Sequence, residues 1–231
     1  VTDLVERAYR GTARFGADVG GLVVESLKRR LLSEIVGEVR IDEPLKRYTT
    51  YRIGGPADVL VIPVVEEDVV RVLRACHQAE VPLRVIGSGS NLLVSEAGVR
   101  GVVMRLGPKL GAVEFSGTTV RAQGGTSLPK LAKLAADRGL AGLEWAGGVP
   151  GTVGGAVAMN AGAHGSDTSR VLMYADMVDR AGNRRRISAE EMGFAYRTNR
   201  QVTNGGHVVL AGAFQLTPDD REAIIRRMKS F

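Results

Sequence analysis

At 231 residues, with 44% hydrophobic and 24% charged side chains, the chain can bury a sizeable core as one large domain or two small ones, which excludes a disordered or fibrous protein. Its formal net charge of +6 favours anionic ligands, but 5% aromatic residues and basic runs as short as Lys28-Arg29-Arg30 and Arg184-Arg185-Arg186 do not make a nucleic-acid binder. The single cysteine, Cys76, excludes an internal disulfide or a cysteine-based zinc cluster, and no apolar run reaches the roughly 18 residues of a membrane span; no metal site and a soluble, cytoplasmic protein are expected.

Residues 1–20 are weakly patterned and read as a loose extension. Leu22, Leu27, Leu31 and Ile35 share one stripe and predict a first helix over about 22–36. A strand follows at 59–62, and Glu66, Glu67 and Asp68 open a helix near 66–79, where first-turn carboxylates complement the helix dipole. Val69, Val72, Leu73 and Cys76 fall at helical spacing, so Cys76 reads as a small buried residue. A short strand at 83–86 then delivers Gly87-Ser88-Gly89-Ser90-Asn91. Short strands are predicted at 92–94, 101–106, 112–115 and 118–122, then a helix from Ser127-Leu128-Pro129 to Arg138 with Gly139 as its C′ residue. After a second glycine-rich stretch come a strand near 171–179, a hairpin through Ala181-Gly182-Asn183, and a helix start at Ser188-Ala189-Glu190-Glu191 with capping-box spacing. A strand over 207–216 leads into a last helix from Thr217-Pro218-Asp219-Asp220 to the end. Strands and helices mix without strict alternation, which predicts an α+β fold of two lobes.

The two glycine-rich stretches, at 87–91 and from Gly147 to Gly165, admit two readings: tight turns of a β-rich domain, or backbone N–H groups surrounding a phosphorylated ligand. The first is neither Gly-x-Gly-x-x-Gly nor a Walker loop, because Leu92-Leu93-Val94 reads as strand where a helix would have to open. Ser88, Ser90 and Asn91 could add side-chain donors. In the second, small residues would let a flat ring lie against the backbone, with Asn160 and His164 as polar contacts. Arg197, in Phe194-Ala195-Tyr196-Arg197, offers a donor fork suited to a carboxylate or enolate.

Thr49-Thr50-Tyr51-Arg52-Ile53-Gly54-Gly55-Pro56-Ala57-Asp58, Gly87-Ser88-Gly89-Ser90-Asn91, Val149-Pro150-Gly151-Thr152-Val153-Gly154-Gly155-Ala156, Asn160-Ala161-Gly162-Ala163 and Tyr196-Arg197 occur in one order. From about residue 25 onward this resembles the MurB family, the UDP-N-acetylenolpyruvoylglucosamine reductases of bacterial peptidoglycan synthesis. The resemblance implies the two-lobed FAD-binding fold shared with vanillyl-alcohol oxidase and p-cresol methylhydroxylase. It divides the chain into an extension (1–24), a first lobe (25–106), a second lobe (107–217, the FAD-binding unit being about 52–217) and the start of a truncated C-terminal region (218–231). It implies noncovalent FAD, NADPH as reductant and UDP-N-acetylglucosamine enolpyruvate as substrate. Cofactor contacts carried over are Arg52, Gly87, Ser88, Gly89, Ser90, Asn91 and Leu92 around the pyrophosphate, then Val149, Pro150, Gly151, Thr152, Gly154, Gly155, Ala158, Asn160, Gly162 and Val209 around the flavin and its chain. Tyr196 and Arg197 match substrate contacts, Arg197 being the family arginine that stabilises the enolate. The family's proton-donor serine, in a Ser-x-Gly-Ser motif, and its partner glutamate have no matching segment here, so the third domain is expected to be missing or only begun and the chain to be an impaired reductase. The alternative is a non-catalytic flavin- or nucleotide-binding module acting with a partner.

Overall fold

The computed structural model describes residues 17–231. The expected loose extension lies outside the described residues up to position 16, and from there the chain is already helical: α1 spans Ala17–Glu34, earlier than the predicted 22–36 at both ends. Packing explains the earlier end. Leu27 and Leu31 are buried against the next helix, and the amides of Val36 and Gly37 turn away to donate to the Asp68 carboxylate at 2.9 and 3.0 Å, which ends α1.

The first sheet follows from β1 (Glu38–Pro44), β2 (Pro56–Ile62), α2 (Glu66–Gln78), β3 (Leu83–Ile86) and β4 (Val99–Arg105). Its order is β1-β2-β4-β3, with β1 antiparallel to β2 and the other pairs parallel. Alternation sorts β2: Val59 and Val61 face α1 and α2, whereas Leu60 faces a smaller cluster with Leu45, Tyr48 and Val103. The charged edge strand β1 was not foreseen.

The second lobe comprises β5 (Val113–Ser116), β6 (Thr119–Gln123), α3 (Leu128–Ala136), β7 (Leu140–Ala141), α4 (Val153–Met159), β8 (Gly162–Ala163), β9 (Ser166–Asp167), β10 (Leu172–Val178), β11 (Arg184–Ser188), β12 (Phe194–Ala195), β13 (Thr198–Asn199), α5 (Arg200–Thr203), β14 (Val208–Gln215), β15 (Thr217–Pro218) and α6 (Arg221–Lys229). Five strands form an antiparallel sheet in the order β11-β10-β14-β6-β5. Leu128, Leu131, Ala135, Val153 and Val157 of α3 and α4 bury one face of it against Val120, Met177 and Phe214. Val178, Val208 and Leu210 reach into the core of the first lobe, so apolar contact joins the two lobes of the α+β fold.

Two expectations fail. Leu92-Leu93-Val94 is loop, not strand, with Leu93 61% exposed and no ladder partner. Ser188-Ala189-Glu190-Glu191 opens no helix, although its capping-box bonds form: Ser188 N–H to Glu191 Oε2 at 3.0 Å and Glu191 N–H to Ser188 Oγ at 3.4 Å. Only Met192 follows as a buried apolar residue before Gly193 turns the chain at φ +60, so no apolar stripe propagates a helix.

On the sheet's outer face Asp176 accepts from Arg186 Nε at 2.8 Å and from Arg121 Nε and Nη2 at 3.1 and 3.0 Å. Partial burial alone would raise its pKa; the two guanidiniums outweigh that and hold it below the ordinary carboxylate value. A depressed folded pKa contributes stability above the unfolded pKa, near 4, which is lost as pH falls through the folded value. Asp176→Asn is therefore expected to cost about 1 kcal/mol at pH 7, with the Tm difference from the parent closing below about pH 4 in thermal melts. A pH-independent difference would contradict this.

Candidate functional site

β3 ends at Ile86 and releases the chain into the first glycine loop. Gly89 adopts φ +71 and passes so close to Tyr48 that a Cβ would fall on its carbonyl oxygen, while Gly89 O accepts from Thr50 N–H at 3.2 Å. The Thr-Thr-Tyr-Arg segment thus backs the loop. Among the described residues, the amides of Ser88, Gly89, Ser90 and Asn91 have no acceptor, leaving four successive N–H groups for an anion. Beneath the loop Arg105, register partner of Ile86, has a buried Nε with no hydrogen-bond partner, and its guanidinium lies 5.2 Å from the Tyr48 ring centroid. Among the described residues no carboxylate pairs with it.

The second stretch folds into α4, a helix unexpected for Val-Gly-Gly-Ala-Val-Ala-Met. Two interior glycines cost roughly 1 kcal/mol each, offset by burial of Val153, Ala156 and Val157 and by Thr152, whose Oγ1 accepts from Gly155 N–H at 3.3 Å. Gly154 is required for packing: its N–H donates to Gly124 O at 2.8 Å, and a Cβ would press to 3.0 Å from that oxygen. Val153 N–H is likewise taken by Thr126 O at 2.8 Å, so the start of α4 has spent its first amides inside the fold.

The two stretches meet. A Cβ on Gly87 would land on Thr152 Oγ1, and Ser90 Oγ donates to Pro150 O at 3.0 Å. A cavity of about 730 Å³ opens beside this junction, within the roughly 300–1,000 Å³ typical of small-molecule sites. Of the expected cofactor contacts, Gly87, Thr152, Gly154, Gly155, Ala158 and Val209 line it. Ser88, Gly89, Ser90, Asn91 and Leu92 continue from Gly87, and Pro150 and Gly151 precede Thr152 at the same junction. Arg52 is exposed in the left-handed region at φ +55. Of the remaining three, the half-buried Val149 packs on the second core, Gly162 sits in β8 against Asp167, and the Asn160 side-chain amide bonds Ala195 O and Ser169 N–H. His164 stacks on Phe231 with ring centroids 4.3 Å apart.

The far wall holds residues the sequence did not single out, among them His77, Arg180 and His207, whose Nδ1 lies 3.0 Å from Gln201 O. No spacing or motif marks them; they converge only through the docking of the two lobes. Cys76 also lines the cavity, but burial pushes its thiol up to about 12, so it stays protonated and is no nucleophile.

Tyr196 and Arg197 form the two-residue turn between β12 and β13. Tyr196 is 89% exposed, and Arg197 is held at φ +57 with its guanidinium 5.6 Å from the Tyr196 ring centroid. A non-glycine residue fixed in this region stores strain of order 1 kcal/mol, found where the surrounding structure over-determines a functional position.

A glycine cradle with free amides, a half-buried arginine with no carboxylate partner among the described residues and a cavity of this size fit a large anionic cofactor such as FAD. Comparison with known proteins agrees. The family model described as an FAD binding domain matches residues 57–188. The UDP-N-acetylenolpyruvoylglucosamine reductase of Rubrobacter xylanophilus is 44% identical over 200 residues, covering 87% of this chain and 67% of the relative. The solved UDP-N-acetylenolpyruvylglucosamine reductase (MurB) of Thermus caldophilus superposes with a TM-score of 0.71 at 36% identity, over 84% of this chain and 67% of that one. The 4-ethylphenol oxidase of Gulosibacter chungangensis, at 18% identity and TM-score 0.59 over 90% of this chain and 44% of its own, shares the fold alone.

Proposed function

The chain belongs to the UDP-N-acetylenolpyruvoylglucosamine reductase family, and on that footing we propose that it binds FAD noncovalently at the junction of its two glycine stretches, takes electrons from NADPH and acts on UDP-N-acetylglucosamine enolpyruvate. The observation that carries this reading is the junction itself, where Gly87 abuts Thr152 and Ser90 bonds Pro150 beside the cavity. Bound FAD would supply hydride transfer. The amides of Ser88–Asn91 would hold its pyrophosphate, with Arg105 adding positive charge beneath the loop. Gly154, Gly155 and Ala158 would leave the flat wall on which its rings and chain rest, and Val209 would close the far side. Tyr196 and Arg197 would meet the substrate, the Arg197 fork holding its carboxylate and stabilising the enolate charge that forms as hydride arrives at the enolpyruvyl group. No residue described here is assigned the proton delivery that completes the reduction. The proposed nucleotide substrates support a cytoplasmic location.

Noncovalent attachment is favoured because the Gly87–Asn91 loop has no histidine and the Cys76 thiol is buried and protonated. The test is to add FAD to purified protein, record the flavin spectrum, and precipitate with acid. The expected result is a bound flavin spectrum, yellow colour left in the acid supernatant, and anaerobic bleaching by NADPH. Protein that shows no flavin perturbation at saturating FAD overturns the reading.

A further inference from the structure

The turn that carries Tyr196 and Arg197 is fastened to the cofactor-facing helix by two asparagines, and the geometry points to Asn199 and Asn160 as positioning residues for Arg197. Asn199 is fully buried at the end of β13, two residues beyond Arg197. Its Nδ2 donates to Val157 O in α4 at 3.0 Å, and its Oδ1 accepts from Gln201 N–H at 2.9 Å. Asn160 closes α4 in the left-handed conformation at φ +41 and is 7% exposed. Its Nδ2 donates to Ala195 O, the carbonyl just before Tyr196, at 3.3 Å, and its Oδ1 accepts from Ser169 N–H at 3.0 Å. Each strand of the β12–β13 hairpin is thus tied to the C-terminal end of α4 by a side-chain amide whose other end is also satisfied.

The other end of α4 is Thr152, against Gly87. The helix therefore links the glycine junction rigidly to the Arg197 turn across about 12 Å, the length of an eight-residue helical rise. An exposed two-residue turn has no core of its own to hold it, and a displacement of 1 Å would misplace a donor fork on its ligand. Buried amides are suited to this task because leaving either end unpaired is costly, which makes the braced position the only comfortable one. Both asparagines act on the backbone of the hairpin and touch no reacting atom.

The inference rests on the proposed role of Arg197, so its test separates the two. FAD-loaded protein is titrated with UDP-N-acetylglucosamine enolpyruvate, following the flavin absorbance change, for the parent, Asn160→Gly, Asn199→Ser, Arg197→Ala and the double variant Asn160→Gly/Arg197→Ala. Glycine keeps the left-handed backbone at 160, so that variant folds even where Asn199→Ser does not. The expected result is that Asn160→Gly, saturated with FAD, weakens substrate binding about tenfold and adds nothing further in the Arg197→Ala background. In parallel, trypsin cleavage after the exposed Arg197 is expected to quicken about tenfold in Asn160→Gly, because local opening governs that rate. An equal loss of substrate affinity with and without Arg197, or unchanged binding and unchanged cleavage, overturns the brace. Arg197→Ala that binds substrate as tightly as the parent overturns the role of Arg197 itself, and the brace with it.

Discussion

Gly89→Ala is expected to lower FAD affinity at least about a hundredfold, roughly 3 kcal/mol of binding free energy. Two costs combine. The residue sits at φ +71, where a Cβ alone costs about 1 kcal/mol, and that Cβ would fall on the carbonyl oxygen of Tyr48, which is backbone and cannot swing aside. The loop must lift from the Tyr48–Thr50 segment, breaking the Thr50 N–H to Gly89 O bond and scattering the amides of Ser88–Asn91 proposed to hold the pyrophosphate. Gly117→Ala is the matched control. It carries the same left-handed strain at φ +58, in the turn between β5 and β6, with nothing within 4 Å of its added Cβ. It is expected to lower stability by about 1 kcal/mol and leave FAD affinity unchanged. Flavin titration by fluorescence quenching measures both; a Gly89→Ala protein that binds FAD within a factor of three of the parent contradicts the assignment of this loop.

Elements whose apolar period and punctuation agree were legible in the sequence. α2 is found within one residue because first-turn acids and a clean helical stripe coincide, and β3 because its apolar run ends on the glycine loop. The glycine stretches were legible as two candidate loops, equally readable as tight turns of a β-rich domain, and that they meet appears only in the structure. α4 was hidden because its glycines lower helix propensity, and the compensations, the Thr152 cap and the close approach to Gly124, are tertiary. At Ser188 the local signal was real and its bonds form, yet helix requires propagation, which the following residues do not support. The roles of Asn160 and Asn199 were illegible because both depend on a hairpin meeting a helix from which it is distant in sequence. Sequence pattern thus marked the glycine stretches proposed to meet the cofactor through backbone, while the side chains that orient them appeared only with the packing.

Asp68→Ala is expected to lower stability by about 3–5 kcal/mol, a Tm fall on the order of 10 °C, while FAD affinity measured in the cold stays within about threefold of the parent. Asp68 is fully buried at the third position of α2 and accepts three backbone amides: Val36 at 2.9 Å, Gly37 at 3.0 Å and Val64 at 3.2 Å. One carboxylate therefore joins the end of α1, the entry to β1 and the exit of β2. Alanine would leave three N–H groups without their carboxylate acceptor and a gap where the fully buried side chain stood. Asp68→Asn keeps one acceptor oxygen but turns an NH2 toward an N–H donor, so an intermediate loss of about 2 kcal/mol is expected. Arg71, whose Nη1 lies 3.6 Å from Asp68 Oδ1, is partly exposed and instead donates to Glu34 O at 3.0 Å; Arg71→Ala is expected to cost under about 1 kcal/mol. The order Ala, Asn at 68, then Ala at 71 in denaturant melts distinguishes amide capture from charge pairing. An Arg71→Ala loss as large as that of Asp68→Ala would mean the ion pair holds this corner. Because α2 brings its C-terminal half, through Leu73, Cys76 and His77, to the cavity wall, loosening its opposite end costs the fold without first touching the ligand. Gly89→Ala should do the reverse, and the contrast separates what holds the first lobe together from what holds the cofactor.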